Sequence, residues 1–487
     1  MKDFFKKLGA ISLSTVIALG MFTGNVGAAE YGKEVEFEVD YTINNPYESV
    51  NWETFGQYKG DFHAHSTNSD GGNLTREMVE DHYAKGYDIL AMTDHNYVTK
   101  GWEYADKGAM PIERKREIEA GVGRSGRGML DFSASNEQSK SDHINNFGID
   151  WNNPSEGSSM DLVLDMNEVL GGIAHINHMG RYTGGKRSPE PSHDPAVIQK
   201  YVTLLEEHPN TIGMEIINKL DNESRNDRPL WDNILKVLMP EGRNVWGFSN
   251  DDTHSLNATG YSWNMLLMPK LDTATTRATL EKGAFYAVSR ISRNDGINAT
   301  FADGTELPGS GRESTLYLLD QKTPSISKIA VDQKENSICI AGADYDKVEW
   351  IADGEVIATG NEIDLNDYED QINSYVRAQL KSNTGIAFTQ PFGVKEEIKV
   401  LKLTSVNAKN KSVDINFPIK SANSKGYFVF ASENGENFEL CENISFNKHG
   451  AKVKGLTNGK TYSFYIVRVE KGVICQRSEV IKAVAGK

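Results

Sequence analysis

Cysteine is almost absent from this chain, which holds only three, at positions 339, 441 and 475, in 487 residues. Three cysteines cannot build a disulfide scaffold. Cys441 and Cys475 could pair if their strands adjoin, but we expect all three to be small buried residues without a catalytic role. A fold stapled by disulfides and a cysteine-dependent enzyme are therefore both excluded as first hypotheses.

Long apolar runs are also scarce, and the one present lies at residues 8–22. It follows a start with three lysines and precedes the small residues at 26–29. This pattern predicts a secretory signal peptide at 1–29 with cleavage near Ala28 or Ala29, too short in its apolar part for a stable membrane span. No cysteine follows the run, so lipid attachment is not expected. We expect an exported, secreted protein without a membrane span.

Positively charged residues are fewer than negatively charged ones: the chain has 52 Lys and Arg and 68 Asp and Glu, which gives a net charge of −16. Nucleic-acid binding depends on cations that neutralise phosphates, so a nucleic acid is not expected as a partner. The acidic residues are spread along the chain, which favours a role in solubility.

Histidine is scarce too, with 11 residues, yet two of them lie together in the stretch GDFHAHSTNSDGG at 60–72. Alternate residues of a strand point to the same face, so His63 and His65 present both imidazoles to one side and Phe62 to the other. Two neutral imidazoles directed at one point suit a divalent transition metal. The alternative is a pair of surface histidines in a turn.

The sequence alternates between short apolar strands and amphipathic helices from residue 58 to 293, and helices are absent from the pattern afterwards. The alternation predicts an α/β fold, either a barrel or a doubly wound sheet. We expect a lead segment at 30–57 on the outside of this α/β unit. Two all-β sandwich domains are predicted at 294–396 and 397–487, the second similar to a fibronectin type III module.

Further metal-ligand candidates follow the ends of predicted strands. They are Asp70, the pair Asp94 and His95, Glu137, His143, His178, Asp252 and His254. Each alone has an ordinary structural explanation, such as a turn residue for Asp70 or a buried hydrogen-bonded group for His143. Together with His63, His65 and His175, the last of which we expect to be a core residue, the set holds seven of the 11 histidines. Because the strand ends of a barrel meet at one mouth, this placement favours a barrel with a metal site there.

These motifs, in this order, resemble the polymerase and histidinol phosphatase (PHP) metallohydrolases. The resemblance covers residues 58–289 and rests on GDFHAHSTNSDG, MTDH, the Glu137–His143 segment, HINHMG and SNDDTH. It implies a distorted (β/α)7 barrel. The signal peptide, the stretch EKGAFYAV and the trailing β domains resemble an exported subgroup related to carbaryl-type ester hydrolases.

The resemblance also implies up to three divalent metal ions. His63, His65, Glu137 and Asp252 would hold the first; Glu137, His143 and His178 the second; Asp70, His95 and His254 the third. Asp94 would orient an imidazole. The chain departs from the family at Met179, where a proline is common after the histidine, and at His143, which stands alone where some relatives have two histidines.

Imidazole and carboxylate ligands without thiolate suit Zn, Mn or Fe and do not select among them. Two cations bridged by a carboxylate generate hydroxide near neutral pH, so we expect a hydrolase that needs no serine or cysteine nucleophile. The first hypothesis for its small-molecule ester substrate is a phosphate mono- or diester. Nearby cations would then contact the phosphate, and the candidates are Arg181, Lys186, Arg187 and Arg290; the alternative for each is a solvated loop cation.

Two other functions stay open. The same site would hydrolyse a carboxylic or carbamate ester, or an amide, in an apolar pocket lined by residues such as Trp102, Tyr182 or Trp263. The third hypothesis is a non-catalytic, metal-stabilised protein whose β modules contact a cell surface or a polysaccharide.

Overall fold

The structure, a computed structural model, describes residues 16–17, 35–36, 38–139, 141–153, 159–297, 299–306, 312–419, 426–470 and 473–486. The predicted signal peptide and its cleavage site lie outside these residues, apart from β1 (Val16–Ile17), which pairs with β2 (Val35–Glu36). No helix in the described part of the chain has the length and apolar character needed to cross a membrane.

Strands and helices alternate up to residue 289, which confirms the predicted α/β class. The strands are β3 (Glu38–Val39), β4 (Tyr41–Asn44), β5 (Gly56–Asp61), β6 (Ile89–Leu90), β7 (Leu130–Asp131), β8 (Ser135–Ser139), β9 (His143–Phe147), β10 (Ile173–Asn177), β11 (Thr211–Asn218), β12 (Trp246–Asn250), β13 (Ser262–Met268) and β14 (Phe285–Ser289). The helices are α1 (Thr75–Ala84), α2 (Ile112–Glu119), α3 (Met160–Val169), α4 (Gly180–Thr183), α5 (Glu190–His193), α6 (Pro195–Glu207), α7 (Asp227–Leu238) and α8 (Thr273–Lys282), with short 3-10 helices at Trp102–Tyr104 and Leu256–Ala258. Helices α1, α3, α6, α7 and α8 overlap the amphipathic stretches 74–86, 160–170, 194–209, 228–240 and 275–283, where the sequence pattern predicts helices.

The described strands of this region form two sheets and not one closed barrel. Strands β5, β6 and β7 are parallel in one sheet, and β10, β11 and β12 are parallel in the other. Strand β9 is antiparallel to both β8 and β10. The connection from β8 to β9 is too short for a crossover, so these two strands pair as a hairpin.

The two sheets meet where their strands end. Ala64, past β5, forms a parallel bridge with Thr253, past β12, and His95 forms another with Glu137 in β8. The carboxyl ends of β5 and β12 are therefore neighbours, which brings the loops that follow them together.

The larger sheet continues beyond residue 293. The next elements are β15 (Ser325–Asp332), β16 (Ser337–Ala343), β17 (Lys347–Ala352), β18 (Glu355–Thr359), β19 (Glu362–Asp364), β20 (Tyr375–Lys381), β21 (Ile386–Phe388) and β22 (Phe392–Glu396), with 3-10 helices at Arg312–Asp320 and Leu365–Gln371. Strand β14 pairs with β21, and β4 of the lead segment pairs with β22. Hydrogen bonding is thus continuous across the predicted boundary at 293/294, and the division into domains stays a prediction.

The last part of the chain forms two further sheets around a core of its own. Its strands are β23 (Lys399–Val400), β24 (Ser405–Lys409), β25 (Ser412–Asn416), β26 (Tyr427–Ser432), β27 (Glu439–Leu440), β28 (Ile444–Asn447), β29 (Gly450–Lys454), β30 (Thr461–Glu470), β31 (Val473–Arg477) and β32 (Ile481–Val484). Strand β3 of the lead segment pairs with β31. The likeness of this region to fibronectin type III stays a prediction.

Candidate metal centre

His63 and His65 lie just past the carboxyl end of β5, in an extended segment that hydrogen-bonds to the segment after β12. The amide of His65 donates to the carbonyl of Thr253 at 2.8 Å. The two imidazole centroids are 5.1 Å apart, while Phe62 packs edge-on against Phe132 on the opposite face. The predicted alternation of these three side chains is present.

Four buried ligand atoms converge beside these histidines. His63 Nε2 is 3.3 Å from Glu137 Oε1 and 3.4 Å from Asp252 Oδ1. His65 Nε2 is 3.4 Å from Glu137 Oε2 and 3.2 Å from Asp252 Oδ1. Neither Nε2 atom, nor Glu137 Oε2 or Asp252 Oδ1, has a hydrogen-bond partner among the described residues.

These distances are those of ligands around a shared cation. Metal–ligand bonds of about 2.0–2.2 Å separate neighbouring ligand atoms by roughly 3–3.5 Å. Buried polar atoms without partners are costly, and a divalent ion would satisfy all four. The donor set therefore fits the metal that the sequence predicts.

A second group surrounds the other side of Glu137. Its Oε1 is 2.9 Å from His143 Nδ1 and 3.3 Å from His178 Nε2. Glu137 is thus the residue shared between the first two groups, as the resemblance implies. His95 also reaches it, with Nδ1 2.8 Å from Oε2.

A third group forms around Asp70, at the more exposed edge of the cluster. Asp70 Oδ2 is 3.2 Å from His254 Nε2 and 3.5 Å from His95 Nε2. His65 Nδ1 lies 3.7 Å from the other oxygen of Asp70. All nine predicted ligands therefore lie in one continuous cluster.

Glu137 and His65 have protonation states that suit metal ligation. Burial raises the pKa of Glu137, but the charge of His63 and the contact with His143 outweigh it and hold that pKa well below its usual range. Burial lowers the pKa of His65 to about 4, so its imidazole is neutral at pH 7. Ionised carboxylates and neutral imidazoles are the forms that bind cations.

For His63, burial lowers the pKa, but the carboxylates of Asp252 and Glu137 outweigh it and raise that pKa. For His95, burial likewise lowers the pKa, and Asp70 and Glu137 outweigh it and raise that pKa. These two imidazoles would therefore release a proton on binding a cation.

Asp94, which the resemblance implies orients an imidazole, bonds to the loop that follows β5. Its two oxygens accept hydrogen bonds from the amide and hydroxyl of Ser66, at 2.7 and 2.8 Å, and Oδ1 also accepts from the hydroxyl of Ser69 at 2.7 Å. These bonds fix the loop that carries Asp70, and the hydroxyl of Ser69 also lies 3.5 Å from Nδ1 of His65, so Asp94 holds the loop directly and reaches an imidazole through Ser69.

Sequence reasoning missed Glu215, a buried carboxylate at the carboxyl half of β11. Its Oε1 is 2.8 Å from His63 Nδ1, and its Oε2 accepts from the amide of His178 at 3.0 Å. Asn218 and Asn250 donate to the same carboxylate, each at 2.9 Å. Glu215 thereby leaves Nε2 of His63 free to face the cluster.

Lys219 was also missed, and it lies closer to the cluster than any cation the sequence suggested. Its Nζ is 3.0 Å from Asp252 Oδ2, and its side chain is 24% exposed. Burial lowers the pKa of Lys219, but Asp252 outweighs it and raises that pKa. Lys219, Asp252 and His178 all have left-handed φ angles of 53°, 44° and 27°, a strained backbone conformation that is concentrated at functional sites.

The predicted phosphate-binding cations lie farther out. Arg290 donates to the carbonyls of Gly260 and Leu318, at 3.0 and 2.7 Å, and does not reach the cluster. Arg181 and Lys186 both pair with Glu223 at the rim, at 3.7 and 2.6 Å. Arg187 is exposed in the same loop.

Of the three aromatic residues named for an apolar pocket, two lie in the core and one lies beside the cluster. Trp102 and Trp263 are buried in the hydrophobic core, so of the three residues named as examples only Tyr182 lies beside the cluster. The ring of Tyr182 lies 5.0 Å from that of His143 and 5.8 Å from that of His178. His175 is a core residue as expected, between Phe147 and Phe248.

No family model matches the chain. A segment of 71 residues, 15% of the chain, is 44% identical to the DNA polymerase/3'-5' exonuclease PolX of Bacillus subtilis (strain 168) and spans 11% of that protein's length. Among solved structures, a two-domain protein from Bacteroides vulgatus containing a predicted PHP-like metal-dependent phosphoesterase matches 89% of this chain and 99% of its own, at 14% identity and a TM-score of 0.34. The lesion-specific endonuclease PfuEndoQ from Pyrococcus furiosus matches 46% of this chain and 56% of its own, at 13% identity and a TM-score of 0.30. At such scores these likenesses carry no argument about function, which depends on the geometry of the cluster.

Proposed function

We propose that the chain is a metal-dependent hydrolase of the PHP type that cleaves phosphate mono- or diesters. The observation that carries the proposal is the convergence of four buried ligand atoms, from His63, His65, Glu137 and Asp252, that have no hydrogen-bond partner among the described residues. A purely structural group of ionisable side chains would be expected to satisfy its own hydrogen bonds.

Divalent ions in such a site supply Lewis-acid chemistry, activating water and neutralising ester oxygens. The chain's own residues would hold and shape the centre. Glu137 would join the first two ion positions, and Asp70, His95 and His254 would hold the third. Glu215 would keep His63 in one orientation, and Asp94 would hold the loop that bears Asp70.

A phosphate ester is favoured over a carboxylic ester because cations lie at and around the cluster. Lys219 is next to Asp252, where it would attract a phosphate oxygen. Arg181 and Lys186 lie at the rim, where a change of partner from Glu223 to substrate would bring them to a phosphate. The carboxylic ester, carbamate or amide hypothesis loses two of its three pocket residues to the core.

The remaining sequence predictions complete the proposal. The protein would be exported, would act on a small-molecule ester and not on nucleic acid, and would use its C-terminal β region for contact with a cell surface or polysaccharide. Zn, Mn and Fe all suit the ligands.

The direct test is hydrolysis by the purified chain, loaded with Mn²⁺ or Zn²⁺, of p-nitrophenyl phosphate, bis-p-nitrophenyl phosphate and p-nitrophenyl acetate. We expect turnover of at least one phosphate ester. His63→Ala and Asp252→Ala should abolish it, while His193→Ala, an exposed histidine, should not. Turnover of the acetate alone would favour the carboxylic ester hypothesis, and no turnover with metal bound would favour a binding protein.

Lys219 offers a test of substrate class within the same assay. Lys219→Met should lower kcat/KM on the phosphate ester by about 10²-fold, the usual effect of removing one group that stabilises developing charge. The control is Lys236→Met on α7. An equal loss of kcat/KM in both variants would show that Lys219 has no specific role toward the phosphate ester.

A further inference from the structure

A second group of metal-binding side chains lies at the opposite end of β11 from the cluster. It consists of Asp161 and Asp165 on α3, Glu207 at the end of α6, and His208, which directly follows α6. His208 precedes β11, whereas Glu215 and Lys219 lie at the other end of that strand. Eight residues of strand span roughly 25 Å, so the two groups are separate.

The informative residue is His208, whose side chain is only 5% exposed. Neither ring nitrogen has a hydrogen-bond partner among the described residues. Nε2 is 3.8 Å from Asp161 Oδ1 and Nδ1 is 3.7 Å from Asp165 Oδ1. Both distances exceed those of hydrogen bonds, so a buried polar ring points at two carboxylates without bonding to either.

Glu207 is the third member of the group. One ligand atom from each of Asp161, Glu207 and His208 can be chosen so that all lie within 4.8 Å of one another. The group also lies at the carboxyl end of α6, where the partial negative charge of the helix favours a cation. Arg243 is the cation next to this group, and its guanidinium donates to backbone carbonyls, those of Leu205 and Thr211, at 2.9 and 2.7 Å.

We propose that Asp161, Glu207 and His208 bind one divalent transition-metal ion, such as Zn²⁺, at a site independent of the hydrolytic centre. An imidazole with two carboxylates is a donor set that suits such an ion. Asp165 would accept the Nδ1 proton of His208 and orient the ring, the arrangement common for metal-bound histidine. The ion would connect α3 to the end of α6, on the helical cover of the smaller sheet.

The test is the number of Zn²⁺ ions bound per full-length chain at saturation, measured by elemental analysis after equilibrium dialysis. The double variant Asp161→Asn/Glu207→Gln should bind one ion fewer than the wild type. Glu206→Gln, which changes the exposed neighbour of Glu207, should bind the wild-type number. The altered carboxylates are exposed, so both proteins should fold.

A second variant tests the orienting role. Asp165→Asn should keep the site but weaken its Zn²⁺ affinity about 10- to 100-fold, as measured by calorimetric titration. Hydrolytic activity should be unchanged in all of these variants, so failure of this proposal is distinguishable from failure of the proposed function. Equal Zn²⁺ stoichiometry in the wild type and the double variant would overturn the proposal.

Discussion

At the scale of single residues, the cluster depends on side chains that touch no proposed ion. Glu215 fixes His63 through Nδ1, and Asn177 donates to Glu137 Oε1 at 2.8 Å. Asn218 bridges the two carboxylates of Glu215 and Asp252, at 2.9 and 3.2 Å. Such partners set the direction and basicity of the groups that bind a metal.

Replacing Glu215 with Gln keeps the size of the side chain and removes its charge. His63 then loses the anionic acceptor that orients it, so metal affinity should fall about 10- to 100-fold, measured by competition with a chelator. The control is Glu223→Gln, which also removes one carboxylate but lies at the rim of the cluster. Equal affinity in wild type and Glu215→Gln would show that His63 needs no orienting partner.

The sequence predicted which side chains gather in the cluster better than it predicted the side chains that hold them in place. His63, His65, Asp252 and His254 were found because histidine is scarce and the i, i+2 spacing is local. Glu215 carried a weaker signal, one charged residue in the apolar stretch TIGMEIIN. Lys219 carried none, because its position beside Asp252 arises from the pairing of β11 with β12.

At the scale of elements, the loop between β5 and α1 determines whether Asp70 reaches the third group. Gly71 in this loop is buried against the chain, and a Cβ there would lie 2.8 Å from the backbone of His65 and of Ser66. Gly72 is exposed, and a Cβ there would be 3.5 Å from the carbonyl of His254, an ordinary contact.

Gly71→Ala should therefore displace the loop and Asp70 with it. We expect this variant to bind one metal ion fewer, the ion of the third group, because Asp70 is the carboxylate of that group. Gly72→Ala is the matched control and should keep full occupancy, both being read by elemental analysis. Full occupancy in Gly71→Ala would mean that the loop adapts without moving its carboxylate.

The elements themselves were predictable where periodicity is strong. Five amphipathic helices form at the expected places, because a 3.6-residue apolar pattern is a local property. The closed barrel is not shown, because among the described residues isolated bridges such as Ala64–Thr253 and His95–Glu137 join the two sheets in place of a continuous ladder, and such long-range pairing has no local pattern in the sequence.

At the scale of the whole molecule, the region that carries the cluster and the region from residue 294 to 396 share one sheet and one core. Arg377 of β20 forms two hydrogen bonds to the carboxylate of Asp232 on α7, at 2.8 and 2.7 Å, and both side chains are buried. Gln390 bonds to both backbone groups of Gly247 in β12. These long-range pairings have no local signature, which is why the sequence pattern divided the chain at 293/294.

Truncation tests this continuity. A chain ending at 293 would expose the edge of β14 and leave Asp232 buried without its partner, a loss of about 3–5 kcal/mol from that pair alone. We expect it to be insoluble or unfolded by circular dichroism. A chain ending at 398 keeps β21 and β22, and should fold and bind metal. A folded, metal-binding chain ending at 293 would show that the shared sheet is dispensable.

The position of bound metal tests the central claim most directly, by anomalous X-ray scattering at the zinc edge from crystals grown with Zn²⁺. We expect a peak enclosed by His63, His65, Glu137 and Asp252, within about 2.0–2.2 Å of Nε2 of both histidines. Crystals with Zn²⁺ bound elsewhere but no peak within bonding distance of those two nitrogens would contradict the account.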